Sequence, residues 1–232
     1  ALRGEGGRRR AGRRVRRGPP RLNPRGNRRS SSLAIVFQPS LLASEDRPAP
    51  DPGAAALPRR ELGSGAWLDV VHHRVTGADA LYLDVLERAP WKAHRRVMWD
   101  RMVDEPRLST GSWVDPPEPL TQLADQLSAS YGLDLRSISA NWYRDGRDSV
   151  AWHGDTAGRR RDTTIVAILS LGSPRRFLLR PKGGGRLIAL TPAHGDLVVL
   201  GGTCQRTWDH AVPKMAGAGS RISVMFREPG VF

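Results

Sequence analysis

Beyond residue 135 the chain breaks into short runs of β-branched and aliphatic residues separated by turn formers. They are Ser137–Tyr143, Ser149–Trp152, Thr163–Leu171, Arg176–Leu179, Arg186–Leu190, Asp196–Leu200 and Ile222–Phe226. Runs of this length and spacing predict seven or eight strands, which close most economically into a double-sheet barrel of the jelly-roll kind. Upstream the period changes. Leu81, Val85 and Leu86 share one face of a helix that Pro90 stops, and Leu120, Leu123, Ala124 and Leu127 mark a second helix after Pro119 that ends before Gly132. The fold class expected is therefore mainly β with flanking helices (α+β), a double-stranded β-helix with the helices packed on its outside. Residues 91–117 mix Trp91, Met98, Trp99 and Trp113 with Arg95, Arg96, Arg101 and Arg107 without a clean period. This segment reads as a long loop or irregular hairpin, and loops of that length usually carry a task.

The first third of the chain has no such pattern. Residues 1–30 are arginine, glycine and proline with few apolar side chains, so they cannot bury enough surface to offset the entropy of ordering. We expect a disordered tail there, an irregular, proline-rich lead-in over residues 31–65, and one domain over 66–232 with a lid at about 91–117 and a jelly-roll core at about 136–228. The tail admits three readings: an arm that binds nucleic acid, a targeting segment with Arg28-Arg29 ahead of Leu33–Phe37, or translated upstream sequence. The missing initiator Met favours the third.

Charge changes the picture less than its size suggests. Of the net +14, the tail holds +11, twelve arginines against one glutamate, so the expected domain is only mildly cationic. No apolar run approaches the roughly 18 residues that a bilayer-spanning helix needs, which argues against a membrane protein. Cys204, the single cysteine, makes neither an intramolecular disulfide nor a multi-thiolate zinc site. A monomer in a reducing, cytoplasmic compartment is expected.

Two constellations carry chemistry. In His153-Gly154-Asp155 the residues at i and i+2 point to one side of an extended chain, so an imidazole and a carboxylate converge, with Gly154 leaving room between them. With His210 from another strand they make two imidazoles and one carboxylate, the facial set of non-haem Fe(II) oxygenases. Taken alone, His153 also reads as a surface residue and Asp155 as a turn former. The second constellation is Arg221 and Arg227, six apart and hence on one face of an otherwise apolar strand. Facing inward they demand an anion, for which a dicarboxylate suffices. Facing outward with Ser223 and Met225, they demand nothing.

In this order the pieces resemble the AlkB family of Fe(II)- and 2-oxoglutarate-dependent dioxygenases. The matching elements are Asn141-Trp142-Tyr143, His153-Gly154-Asp155, His194-Gly195-Asp196-Leu197-Val198-Val199 followed by Gly201-Gly202, then His210, then Arg221 and Arg227. The resemblance covers roughly residues 66–228. It implies Fe(II) bound by the catalytic residues His153, Asp155 and His210, and 2-oxoglutarate and O2 as co-substrates. Asn141, Tyr143, Arg221 and Arg227 would bind 2-oxoglutarate, Arg221 at its distal carboxylate and Arg227 near the metal-bound end. The implied reaction hydroxylates the methyl group of an N-alkylated base such as 1-methyladenine or 3-methylcytosine. The product collapses to the restored base and formaldehyde, with succinate and CO2 as the other products. Asp155 at a ligand position leaves no vacancy for halide, so hydroxylation is expected rather than halogenation.

A base inside a duplex must be rotated out or met as a single strand. Trp99, Arg107, Trp113 and Trp142 are candidates to stack on it or hold its phosphates, the tryptophans equally serving to anchor the lid. Some relatives carry an acidic residue two positions after the HxD aspartate, whereas this chain has Ala157, which leaves base preference open. Arg159-Arg160-Arg161 reads as a phosphate contact or a solvated turn. His72, His73, His94, His194, Cys204 and Asp209 are kept out of the site. Two other readings remain: the same oxygenase chemistry on a protein, lipid or small molecule, and a nucleic-acid-binding protein without catalysis.

Overall fold

Strand Arg221–Arg227 alternates Ile222, Val224 and Phe226 with Arg221, Ser223, Met225 and Arg227, and all seven residues are buried. A strand covered on both faces belongs to the middle of a layered structure. The computed structural model describes residues 47–98, 100–155 and 161–230, with the backbone alone over 96–98. In chain order its elements are β1 (Ala49–Pro50), β2 (Arg60–Gly63), β3 (Ala66–Val71), β4 (Val75–Thr76), α1 (Ala78–Arg88), β5 (Lys92–Met98), β6 (Arg101–Ser109) and α2 (Glu118–Tyr131). There follow β7 (Ser137–Tyr143), β8 (Val150–His153), β9 (Val166–Gly172), β10 (Phe177–Pro181), β11 (Ile188–Leu190), β12 (Leu197–Gly202), a one-turn helix Cys204–Thr207, β13 (Trp208–Val212) and β14 (Arg221–Arg227).

An eight-stranded sheet in the order β2-β3-β12-β9-β14-β7-β6-β5 faces a four-stranded sheet in the order β11-β10-β13-β8. Every pairing among the described strands is antiparallel. One core fills the space between the sheets, with Tyr143, Val166, Ile168, Phe177, Leu179, Val198 and Met225. The other lies between the large sheet and the helices, where Leu81, Val85, Leu120, Leu123 and Leu127 meet Ile222, Val224 and Phe226. The jelly-roll core with helices on its outer face is thus the observed architecture. Each fully buried aliphatic side chain in these layers contributes about 1.5–3 kcal/mol relative to an exposed one.

The helices start and stop where their chemistry directs. Helix α1 carries Asp79 in its first turn and Arg88 in its last, as the helix dipole favours. Helix α2 holds Pro119 in its first turn, where a missing N–H is harmless, and ends at Gly132 with φ +66°.

Three expectations change. Of the two readings of residues 91–117, the hairpin holds and the long loop does not: β5 pairs with β6, its register shifting between Ala93 and Arg95, and joins the edge of the large sheet through β6 and β7. Its described side chains are mostly exposed, so the sequence lacks the apolar alternation of a half-buried strand. The lead-in 31–65 is not irregular throughout, because β1 pairs with β4 and β2 with β3. Strand β13, which the sequence pattern did not mark, is the inner neighbour of β8. The tail 1–30 and residues 31–46 lie outside the described residues.

Candidate active site

Strands β8 and β13 pair with His153 directly opposite His210, which puts both imidazoles on one side of the small sheet with ring centroids 4.3 Å apart. Asp155 follows two residues later, and its Oδ1 is 3.7 Å from the Nε2 of each histidine. One donor atom from each of the three lies within 4.8 Å of the others. His153 Nδ1 is 2.8 Å from the Ala151 carbonyl. A carbonyl only accepts, so Nδ1 carries the proton and the Nε2 lone pair faces Asp155 and His210.

The carboxylate is held on its other oxygen. Arg227 Nε and Nη2 both donate to Asp155 Oδ2 at 2.8 Å, and Arg227 Nη1 donates to Ser139 Oγ at 2.9 Å. Burial by itself would raise the pKa of Asp155, but Arg227 and the two imidazoles outweigh it and hold it at about 2. His210 is pushed down to about 4, chiefly by burial, and is neutral at pH 7. Two imidazoles, that of His210 neutral, and one carboxylate oxygen are thus presented together, a donor set suited to a divalent first-row ion such as Fe(II). Exposure is uneven: the His153 side chain is 41% exposed, those of His210 and Asp155 10% and 12%.

Arg221 stands at the opposite end of β14 and is 1% exposed. Its Nη2 donates to Ser170 Oγ at 2.9 Å, while Nε and Nη1 have no hydrogen-bond partner among the described residues. Burial lowers its pKa to about 10, so it remains a cation at neutral pH. Its guanidinium sits 5.6 Å from the ring centroid of buried Tyr143. A buried cation with two idle donors fits the carboxylate of an organic acid, and 2-oxoglutarate has one to spare beyond its keto acid end. Asn141 and Tyr143 on β7 line the cavity with Ser223, Met225 and Arg227, and Asn141 Oδ1 accepts from Arg107 Nε at 3.4 Å. The inward orientation of the arginine pair is the one that requires an anion.

From this inner cavity a cleft continues outward past His153, Gly154 and Asp155 toward Ser109, Gly111 and Ser112 at the end of β6. Arg107 lines both. The candidates Trp113 and Trp142 do not gather there. Trp113 is 6% exposed and packed in the helix-side core, fixed by its backbone N–H to the Ile138 carbonyl at 2.8 Å. Trp142 lies between Asn141 and Tyr143 on β7 and so faces the opposite way, toward Trp91 and the Ser220 hydroxyl, to which its Nε1 donates at 2.7 Å. Trp99, Ala157, Arg159 and Arg160 lie outside the described residues, whereas Arg161 pairs with Glu228.

His194 accepts the Gly172 N–H on Nδ1 and meets Asp79 at 3.1 Å, a structural tie away from the triad. Asp209 faces Arg180, and His72 faces Asp196. Residues that sequence reasoning missed are Ser139 and Ser170, which accept from the two arginines, and Gln205, whose Oε1 accepts the Asp155 N–H at 3.1 Å. Hydroxyls and an amide with no spacing rule leave no trace in a single sequence.

A family model described as the 2OG-Fe(II) oxygenase superfamily matches residues 86–227. The chain is 29% identical over 174 residues to an alpha-ketoglutarate-dependent dioxygenase alkB homolog 3 of Bos taurus, covering 65% of this chain and 61% of that protein. To a DNA oxidative demethylase ALKBH2 of Arabidopsis thaliana it is 34% identical over 146 residues, 52% of this chain and 46% of the relative. The matched part thus spans about half to three fifths of these relatives. A solved structure titled as that of OsALKBH1 aligns with a TM-score of 0.47 at 16% identity, over 74% of this chain and all of that one.

Proposed function

The chain belongs to the 2OG-Fe(II) oxygenase superfamily and, within it, to the AlkB family, and from that premise we propose that it oxidatively demethylates N-alkylated nucleobases. DNA bearing 1-methyladenine or 3-methylcytosine is the substrate we favour, with release of formaldehyde, succinate and CO2. The chemistry rests above all on one observation: the side chains of His153, Asp155 and His210 converge on a cavity lined by Tyr143, over whose ring lies buried Arg221, with two donors unpartnered among the described residues. The choice of nucleic acid rests on the relatives, one of which bears the name DNA oxidative demethylase.

In this reading His153, Asp155 and His210 hold Fe(II), and Arg221 with Tyr143 and Asn141 holds the far end of 2-oxoglutarate. When bound, the ion and the keto acid supply the oxidising power that turns a substrate C–H bond into C–OH at the expense of O2. The protein's own part is positional. Arg227 keeps one oxygen of Asp155 occupied so that the other faces the imidazoles, and the Ala151 carbonyl keeps the His153 proton on Nδ1. We assign Arg107, which lines both the cavity and the cleft and pairs with Glu105 at 2.8 Å, to contact an entering base or its phosphate.

The experiment is a mass-spectrometric panel of methylated DNA and RNA oligomers with Fe(II) and 2-oxoglutarate. One formaldehyde released per 2-oxoglutarate consumed on a methylated base is the expected result, and His153→Ala should abolish it. Turnover of 2-oxoglutarate without base restoration on any oligomer would sink the nucleobase assignment and leave a protein, lipid or small-molecule substrate.

A further inference from the structure

The one-turn helix Cys204–Thr207 joins β12 to β13 and lies against the His153-Gly154-Asp155 segment. Its Gln205 is 1% exposed and bonds on two sides. The side-chain Oε1 accepts the Asp155 N–H at 3.1 Å, and the main-chain carbonyl accepts from Lys182 Nζ at 3.2 Å. A Cβ on Gly154 would fall 2.6 Å from that carbonyl and 2.9 Å from Nζ, so the backbone of the metal-binding segment is pressed onto the helix with no space for a side chain. Gln205 Nε2 has no partner among the described residues. Turning the amide over would set two donors against each other, so the bond to Asp155 fixes its orientation.

We infer that Gln205 is a positioning residue for the metal centre, locking the main chain of Asp155 while Arg227 locks its carboxylate. This rests on the reading of His153, Asp155 and His210 as metal ligands. Gly154 itself has wider backbone freedom than any other residue, so the main chain entering Asp155 needs an anchor, and a carboxylate held only at its tip still swings with its backbone. Clamped at both ends, Asp155 keeps Oδ1 turned to the two imidazoles. Groups that orient ligands without touching the ion typically change metal affinity 10- to 100-fold.

The test uses Mn(II) alone as the probe, its free fraction read by electron paramagnetic resonance, with a thermal melt of each variant. Gln205→Met keeps the length of the side chain and removes the acceptor. It should weaken Mn(II) binding by about 10-fold or more while the metal-free protein still melts cooperatively. Binding within about threefold of the unaltered protein overturns the inference, since a purely structural role would move the melt alone. Should Gln205→Met fail to fold, Gln205→Asn, one methylene shorter and drawn back from Asp155, decides by the same criterion. Asp155→Ala separates the premise from the inference. If Asp155→Ala binds Mn(II) normally, the ligand assignment is wrong; if it alone loses binding, the ligand reading stands and the clamp falls.

Discussion

Among the described residues Arg221 has one hydroxyl to answer three donor groups, and such a buried charge is costly unless an anion joins it. Arg221→Met should therefore leave the melting temperature of the protein without co-substrate unchanged or raise it, because a lone buried cation is replaced by an apolar side chain. The same change should raise the 2-oxoglutarate requirement about 100-fold, two charge-assisted hydrogen bonds being lost. A co-substrate titration checks it, and an unchanged half-saturation would remove Arg221 from that role. His210 makes a pH prediction. Its pKa in the folded chain is about 4 against an ordinary 6.5, so on acidification the unfolded chain takes up this proton first. Stability of the metal-free protein should fall as pH drops from 6.5 to about 4 and then lose no more from this group. Asp155, held at about 2 against 3.8, adds its own loss only below 3.8. Melting in chelator across that range should show the upper slope, and His210→Gln should flatten it; an equal slope in both proteins would refute the attribution. Cys204, buried and raised to about 12, should resist iodoacetamide at pH 8 in the folded protein and react on unfolding, as peptide mass spectrometry would report.

Among the secondary structures, β12 and β3 show how tightly the register is fixed. Gly201 opposes Trp67 across this pair, and a Cβ at Gly201 would lie 2.0 Å from the indole. Gly201→Ala should cost about 1–3 kcal/mol, read as a lower urea midpoint, because neither a sheet nor a packed indole yields that distance without rearrangement. Legibility from sequence divides along the same line. Strands covered on both faces, β9, β12 and β14, announce themselves as aliphatic runs, and β7 was read to its last residue because alternation and burial coincide there. The β5–β6 hairpin was legible only as a loop or irregular hairpin, because charge fills it and its described side chains are mostly exposed. The triad was legible because metal chemistry needs particular residue types at particular offsets. For Trp113 and Trp142 the sequence left stacking and anchoring open, and their packing on the helix side favours anchoring; composition marks an aromatic residue without saying which face of the sheet it occupies. Gln205 had no pattern to betray it.

For the whole chain, charge and fold are divided. Residues 1–30 hold +11 of the +14, while the cavities belong to residues between Arg107 and Arg227. Under the nucleobase reading, deleting residues 1–30 should leave demethylation of a short single strand at saturation within about twofold. It should also flatten the dependence of nucleic-acid binding on salt, since fewer counterions are released. Equal salt slopes with and without the tail would show that it makes no phosphate contact. The uneven cover of the triad has a further consequence for traffic. His210 and Asp155 are walled in by the two sheets, whereas His153, at the end of a border strand, meets solvent over two fifths of its side chain. Among the described residues, then, an ion meets the outer imidazole of His153 on the more open flank, as the first bond made on loading and the first one broken on leaching.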